Sequence, residues 1–320
     1  MGQGQEHKTR DDAQVEIQER GEIFFFYRPK VNKEEAHSVD DVQRLYIVLR
    51  PESGERPVEE KQDPHSGKEG SKANSGEGSA KDAPKGGQGS QQVNIEKEPL
   101  LRFIVMGRNR LPDPRKKPQP YWGFVELVTT KVEDVKSAME GGEYDTSTRG
   151  HRHVPPVRAV GEGVYRLVRH NKSGKNNKNT MHTHLIYKLE FPHETKENEP
   201  QESLNINRED SLVIQIKNPD QSGHGNSGFR GLQSKRKAVF PAHLQGKMGK
   251  KRWYPADPPD FLNYEGCEFL MIAASDDIDE ELGLELDIEQ GEEADPSCSD
   301  LVRTFGETAS TAPLFEGIWA

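Results

Sequence analysis

The sequence contains little cysteine and few apolar residues. Its 320 residues include two cysteines, Cys267 and Cys298, which is too few for a disulfide framework or a cysteine-rich zinc site and fits a reducing compartment. Only 31% of the residues are hydrophobic, 31% are charged, and the mean hydropathy is −0.93. The longest apolar run, from Phe269 to Ala274, is far shorter than the roughly 18–20 residues that a membrane span needs. The sequence therefore predicts a soluble intracellular protein, cytoplasmic or nuclear, with no membrane partner.

The common enzyme motifs are also absent. The chain has no P-loop, no dinucleotide-binding glycine pattern between a strand and a helix, no GxSxG and no HExxH. These absences favour a non-catalytic protein, and no cofactor is predicted.

Two strongly polar segments interrupt the chain. Residues 51–98 have no aromatic and almost no aliphatic side chains, so burial cannot offset an ordering entropy of roughly 1–2 kcal/mol per residue. Residues 276–300 hold 12 carboxylates and no Lys, Arg or His, which is typical of an acidic tail. Without these 12 negative charges, the net charge of −10 becomes about +2, so the folded part lacks the overall charge of a nucleic-acid-binding protein.

These segments set the predicted domain boundaries. A long loop between two strands is tolerated because the entropy of loop closure grows only logarithmically with loop length. We therefore predict one β-rich domain, with polar segments inside and beside it. The predicted parts are a disordered N-terminus at 1–15, a single domain at 16–275 interrupted by a disordered loop at 51–98, a disordered acidic tail at 276–300, and a C-terminal aromatic motif at 301–320.

The apolar residues that remain occur in short bursts of strand length, rich in Val, Ile, Phe and Tyr. Helix signals are fewer: one helix is predicted within 130–142, and shorter ones after Ser38 and within 241–249. The predicted fold class is α+β and β-rich, a mostly antiparallel sheet or sandwich of about eight strands with two or three connecting helices. The bursts are EIFFFYR (22–28), RLYIVLR (44–50), LLRFIVMG (100–107), YWGFVELVT (121–129), GVYRLVRH (163–170), MHTHLIYKL (181–189), SLVIQIK (211–217) and CEFLMIAA (267–274).

Several segments together resemble a family of plant proteins of unassigned function. They are GEIFFFYRPKV, RLYIVLRPESGERPVEE, YWGFVELVTT, THLIYKLEFP and DPPDFLNYEGCEFL, and the resemblance covers nearly the whole chain. More distant fungal relatives of that family are sometimes labelled BTB-domain transcription factors. BTB domains are mostly helical, whereas this sequence predicts mostly strands, so we do not expect a BTB fold for this chain. The resemblance transfers no catalytic or binding residue.

The bursts GVYRLVRH and MHTHLIYKL are predicted to pair as a hairpin. If Leu167 lies opposite Leu185, then His170 lies opposite His182 and His184 is diagonally adjacent, on the face opposite the apolar side chains.

This histidine face has three interpretations. It can be a solvent-exposed face of the sheet, because one face of an antiparallel sheet is often in water. It can bind zinc or iron, although the neighbouring cations Arg166 and Lys188 disfavour a metal ion. It can also bind a phosphate or carboxylate ligand through its basic residues. The metal candidates are His153, His170, His182 and His184, and the ligand-binding candidates are Arg166, His170, His182, His184 and Lys188.

The C-terminal aromatic motif and one basic cluster are further candidates for binding. The motif either docks on the domain or is a linear motif for a protein partner, and the acidic tail would suit a basic partner. Residues 250–253 combine three basic side chains with an indole, a pattern that can contact single-stranded nucleic acid. The partner-binding candidates are Phe305, Leu314, Phe315 and Trp319, and the nucleic-acid candidates are Lys250, Lys251, Arg252 and Trp253.

From these features we predict a non-catalytic interaction or regulatory module that engages partners through its acidic tail and aromatic motif. The alternative is a metal-dependent or phosphate-handling enzyme built on the histidine face. A nucleic-acid-associated nuclear protein is the third hypothesis.

Overall fold

The computed structural model describes residues 5–10, 15–52, 55–59, 90–94, 98–173, 179–192, 198–221, 231–287 and 299–320, with the backbone alone at 55–59, 90–94, 172–173 and 179–180. The strands are β1 (Glu6–Lys8), β2 (Val15–Pro29), β3 (Val42–Pro51), β4 (Glu55–Glu59), β5 (Ser90–Asn94), β6 (Leu101–Met106), β7 (Tyr121–Thr129), β8 (Gly142–Thr146), β9 (Gly150–Val154), β10 (Arg158–Ser173), β11 (Asn179–Phe191), β12 (Glu209–Lys217), β13 (Trp253–Pro255), β14 (Glu268–Ser275) and β15 (Leu284–Leu286). The helices are α1 (Val132–Met139), α2 (Glu199–Leu204), α3 (Ala242–Met248), α4 (Ile278–Leu282), α5 (Asp300–Phe305) and α6 (Ala312–Phe315).

The eight predicted strands form one antiparallel sheet that closes into a barrel. Their order around the barrel is β11, β10, β2, β3, β6, β7, β14, β12, and β11 pairs with β12 to complete the ring. The short strand β13 pairs antiparallel with the last three residues of β12. The predicted fold class is therefore confirmed. The sheet closes on itself, because β11 and β12, which stand at the two ends of the strand order, pair with each other.

Alternation along each strand separates an inner and an outer apolar set. On β2, Phe25 faces the barrel interior, where all eight strands contribute buried aliphatic and aromatic side chains. Phe24 and Phe26, on the same strand, face outward and belong to a second cluster between the barrel wall and its helices. Because both faces are covered, the strands on this side of the barrel read as continuous apolar runs.

The C-terminal motif docks on the outer wall of the barrel. Phe305 and Leu314 are fully buried there, and the ring of Phe305 forms T-shaped pairs with Phe24 and Phe26 at centroid distances of 5.9 and 5.6 Å. Phe315 packs against Phe191, and Trp319 packs against Tyr27. Of the two alternatives predicted for this segment, the structure has the docked one. Phe305 and Leu314 are not accessible to a partner, because they bury the outward-facing apolar side chains of the barrel wall.

The two predicted disordered ends are wrong where the structure describes them. Strand β1 pairs antiparallel with β15, and α4 precedes β15, so residues 6–8 and 278–286 are ordered. The acidic residues conceal an apolar pattern whose members are all buried, namely Ile278, Leu282, Leu284 and Leu286. Residues 1–4, 11–14 and 288–298, including Cys298, lie outside the described residues.

The predicted disordered loop at 51–98 also contains some regular structure. Strands β4 and β5, within this loop, pair antiparallel over five residues each, contrary to the prediction. Pairing of two backbones needs no apolar side-chain pattern, so composition could not reveal it. The remaining predicted loop residues 53–54, 60–89 and 95–97 lie outside the described residues.

Helices are more numerous than predicted. Helices α1 and α3 lie where they were predicted, and a 3-10 turn at Val39–Asp41 follows Ser38. Helices α2, α4, α5 and α6 were not predicted; each has six residues or fewer and lacks a long periodic pattern. Within the described part of the chain, no helix has the length and apolar character needed to cross a membrane.

Candidate metal centre on the barrel wall

The predicted hairpin of histidine-bearing strands is present with the predicted register. Strands β10 and β11 pair antiparallel, with Leu167 opposite Leu185 and His170 opposite His182. His184 lies opposite Val168, one pair further along the same outer face. The ring centroids are 5.4 Å apart for His170 and His184, and 6.5 Å apart for His182 and His184. The three imidazoles therefore converge as the alternation predicts.

This histidine face is covered by protein. Outward-facing Val168 and Ile186 pack against Ile278 and Leu282 of α4, in a third apolar cluster. His184 is only 2% exposed. The interpretation as a solvent-exposed face is therefore wrong for this part of the sheet, because the segment expected to be a free acidic tail lies over it.

Helix α4 brings a carboxylate to the histidines. One ligand atom each from His170, His184 and Glu281 lies within 4.8 Å of the other two. Two ligands bound tetrahedrally at 2.0–2.2 Å from zinc are about 3.4 Å apart, so small side-chain movements would bring all three atoms to coordination distance. Two imidazoles and one carboxylate are a donor set that both zinc and iron(II) accept.

A neighbouring hydroxyl orients one of the imidazoles. Nδ1 of His184 lies 2.9 Å from Oγ of Ser211, which is buried on β12. In the tautomer with the proton on Nδ1, His184 donates to this hydroxyl, and Nε2 carries the lone pair that a metal ion needs. Strand β12 pairs with β11 at this position, so the closing ladder of the barrel holds the orienting group in place.

Helix α4 is fixed at both ends and from the side. The side chain of Asp277 accepts a hydrogen bond from the backbone N–H of Glu280, and Gly283 ends the helix in the left-handed conformation. The backbone N–H of Thr9, just after β1, donates to the carbonyl of Gly283. Arg10 donates to the carbonyls of residues 279 and 280. These contacts set the position of Glu281 above the histidines.

The two cations that argued against a metal ion have carboxylate partners of their own. Arg166 is 1% exposed and its Nε donates to Glu6 of β1 over 2.8 Å. Burial raises the pKa of Glu6, but hydrogen bonds from Arg20 and Arg166 outweigh it and the pKa is lowered. Nζ of Lys188 lies 3.8 Å from Oε2 of Glu209. The predicted phosphate- or carboxylate-binding face is therefore not open at Arg166, because β1 covers it.

The remaining predicted metal ligands differ in position. His182 is partly exposed beside the cluster, on the same outer face. His153 is on β9, in a separate two-stranded hairpin, with its Nε2 3.6 Å from Glu34. The predicted metal set is thus corrected: His153 is outside the cluster, because β8 and β9 form a sheet of their own.

Glu281 was not predicted as a ligand. The excess of carboxylates in 276–300 indicated a tail and hid the apolar positions between them. A usable signal was present, since Ile278 and Leu282 are four residues apart, as on one helix face, and Leu284 and Leu286 alternate, as on a strand. Such a pattern predicts a segment that packs on the domain and carries its acidic residues with it.

The basic cluster at 250–253 lies elsewhere, at the end of α3 and the start of β13. Lys250 and Lys251 are exposed, and the guanidinium carbon of Arg252 lies 5.9 Å from the ring centroid of Trp253. The four residues are contiguous and accessible in part, and nucleic-acid binding by them stays a prediction.

Comparisons of the chain with protein-family models, with curated proteins and with solved structures find no match.

Proposed function

We propose that this protein binds a divalent transition-metal ion, zinc or iron(II), at His170, His184 and Glu281. The observation that carries the proposal is the convergence of three ligand atoms from β10, β11 and α4 within 4.8 Å. Zinc and iron(II) fit because imidazole nitrogen and carboxylate oxygen are their common ligands. A fourth ligand comes from water or from His182, the neighbouring imidazole.

The role of the ion is structural or regulatory. His184 is buried, and the third ligand belongs to a helix that lies across the barrel wall. An ion here links α4 to strands β10 and β11, which are distant in sequence and meet only in the folded protein. The proposal shares the histidine face with the alternative metal-dependent enzyme that the sequence predicts, but gives the ion a non-catalytic role. It differs from the predicted partner-binding tail, because α4 of the acidic segment lies against the domain.

Metal titration of the full-length chain tests the proposal. Protein stripped with a chelator and titrated with Zn²⁺ should bind a single equivalent, measured by calorimetry and by elemental analysis after gel filtration. Ser211→Ala removes only an orienting hydrogen bond and is expected to weaken metal binding roughly 10–100-fold. The three ligand variants should each weaken metal binding more than that: His170→Asn, His184→Asn and Glu281→Gln. Fe²⁺ is titrated in parallel without oxygen.

Two matched variants serve as controls. Glu280→Gln removes the same charge from an exposed position one residue away, and His153→Asn removes a histidine outside the cluster. Both should bind metal as the unmodified protein does. Absence of stoichiometric metal in the unmodified protein, or equal losses in Glu280→Gln and Glu281→Gln, would overturn the proposal.

A further inference from the structure

The segment 276–287, named here the acidic cover, carries an unusual density of like charge. Seven of its 12 residues are carboxylates and none is basic. Carboxylates this close repel one another, and the repulsion is stronger in a compact segment than in an extended one. Electrostatics within the cover therefore oppose its folded form.

Contacts with the barrel favour the folded form. The underside of the cover buries Ile278, Leu282, Leu284 and Leu286 against Val15, Val168 and Ile186. Its edge strand pairs with β1 over three residues only. Beyond this cluster and the pairing with β1, the cover is held mainly at exposed positions, by hydrogen bonds from Thr9 and Arg10 and by His7 beside Asp287. Few buried contacts therefore offset the conformational entropy lost on ordering it. Such an element belongs to the low-stability part of a fold, where opening and closing are easily biased.

The candidate metal ligands are divided between the cover and the barrel. His170 and His184 lie on the barrel wall, whereas Glu281 is the one cluster member on the cover. A bound dication would also reduce the repulsion among the carboxylates near Glu281. An ion that takes all three ligands binds the closed form more tightly than the open form, which offers the two histidines alone. By linkage, the ion then shifts the equilibrium toward the closed form.

We propose that metal binding at this cluster controls whether the acidic cover is closed over the barrel wall. This inference rests on the proposed metal-binding function and adds its regulation. At a metal concentration of about 100 times the dissociation constant, the closed-to-open ratio increases up to about 100-fold, provided that the open form binds weakly. Opening exposes the apolar wall around Val168 and Ile186 and releases a strongly acidic segment.

Hydrogen exchange measured by mass spectrometry tests this regulation in the full-length protein. Addition of Zn²⁺ to the chelator-treated protein should slow hydrogen exchange in peptides from residues 276–287 at least about tenfold. Exchange there requires opening of the cover, so it slows as the equilibrium shifts toward the closed form. Exchange in β3, which β2 separates from β10 in the ring, should not change and reports an intact fold. Glu280→Gln should respond to Zn²⁺ as the unmodified protein does, whereas Glu281→Gln and His170→Asn should not respond.

The outcomes separate the two proposals. If Zn²⁺ binds stoichiometrically and exchange in the cover is unchanged, the regulatory inference is overturned while the metal site stands. If neither Zn²⁺ nor Fe²⁺ binds, both are overturned. If a variant exchanges fast in β3 as well, its barrel is unfolded, and the exchange of the unmodified protein with and without Zn²⁺ decides the matter.

Discussion

Glu190, near the end of β11, is mostly buried beside other carboxylates. Burial, and then the negative charge of Glu162, raise the pKa of Glu190 from 4.5 to about 7. Between these two values the folded protein keeps a proton that the unfolded chain has lost. The free energy of unfolding therefore falls as the pH rises through this range and levels off above it. Ionised Glu190 is thus a source of instability at and above neutral pH.

Replacing this side chain by its neutral analogue should remove that pH dependence. Glu190→Gln is expected to raise the free energy of unfolding by about 1–3 kcal/mol at about pH 8 and by much less at about pH 5. Urea unfolding at both pH values measures the difference. Glu35→Gln, at an exposed position, corrects for the change in net charge, and an equal effect of both substitutions would contradict the prediction.

Among the elements, α5 shows how the C-terminal segment is attached. Its first turn is capped by Ser299, whose hydroxyl accepts from the backbone N–H of Val302 over 3.1 Å. The carboxylate of Glu162 on β10 accepts from the backbone N–H groups of Asp300 and Leu301 at 2.8 and 3.3 Å. Helix α5 therefore joins the barrel both by these polar contacts and by the fully buried ring of Phe305.

Truncation of that ring should be costly. Phe305→Ala is expected to lower the free energy of unfolding by about 3–5 kcal/mol, because it leaves a cavity against Phe24 and Phe26. Ile318→Ala, in the same segment but with 40% of the residue exposed, should cost no more than about 0.5 kcal/mol. Chemical unfolding of the full-length variants distinguishes the two, and a small effect of Phe305→Ala would show that the segment is only loosely attached.

The sequence predicts some elements better than others. Each of the eight principal strands is a dense burst of Val, Ile, Phe and Tyr, so its own composition identifies it. Helices α5 and α6 are too short for periodicity to show; contact with β2 stabilises α5, and contacts with β10 and β11 stabilise α6. The same difference applies to the candidate site. The convergence of His170, His182 and His184 follows from alternation and hairpin register. For Glu281, the local apolar spacing predicts only that its segment packs on the domain, and not which residues it meets.

In the molecule as a whole, a buried ionic network joins three barrel strands across the interior. Arg102 of β6 is fully buried and forms a bidentate pair with Glu19 of β2, with distances of 2.5 and 2.8 Å. Tyr165 of β10 donates to the same carboxylate over 2.8 Å, and Arg102 donates to the amide oxygen of Asn263. Each of these two charges is therefore compensated inside the barrel.

Loss of both partners of this ion pair should destabilise the barrel less than the two single losses added together. Glu19→Gln leaves the guanidinium buried without its countercharge and is expected to cost about 3–5 kcal/mol of unfolding free energy. The double variant Arg102→Met, Glu19→Gln should be less destabilised than the sum of the single variants, because no uncompensated charge remains. A double-mutant cycle measured by urea unfolding gives the coupling energy between Arg102 and Glu19, and strict additivity of the two single effects would contradict the prediction.

The place of β14 in the ring, between β7 and β12, also constrains how the protein is made. The first barrel strand begins at Val15, and the last, β14, ends at Ser275. Until the ribosome has released the chain beyond that point, the growing sheet cannot become a ring, and its outermost strands offer unpaired edges to other nascent chains. Contacts between strands so distant in sequence also form slowly. Synthesis of this barrel thus creates a period of exposure in which a chaperone that covers strand edges would raise the yield of folded protein.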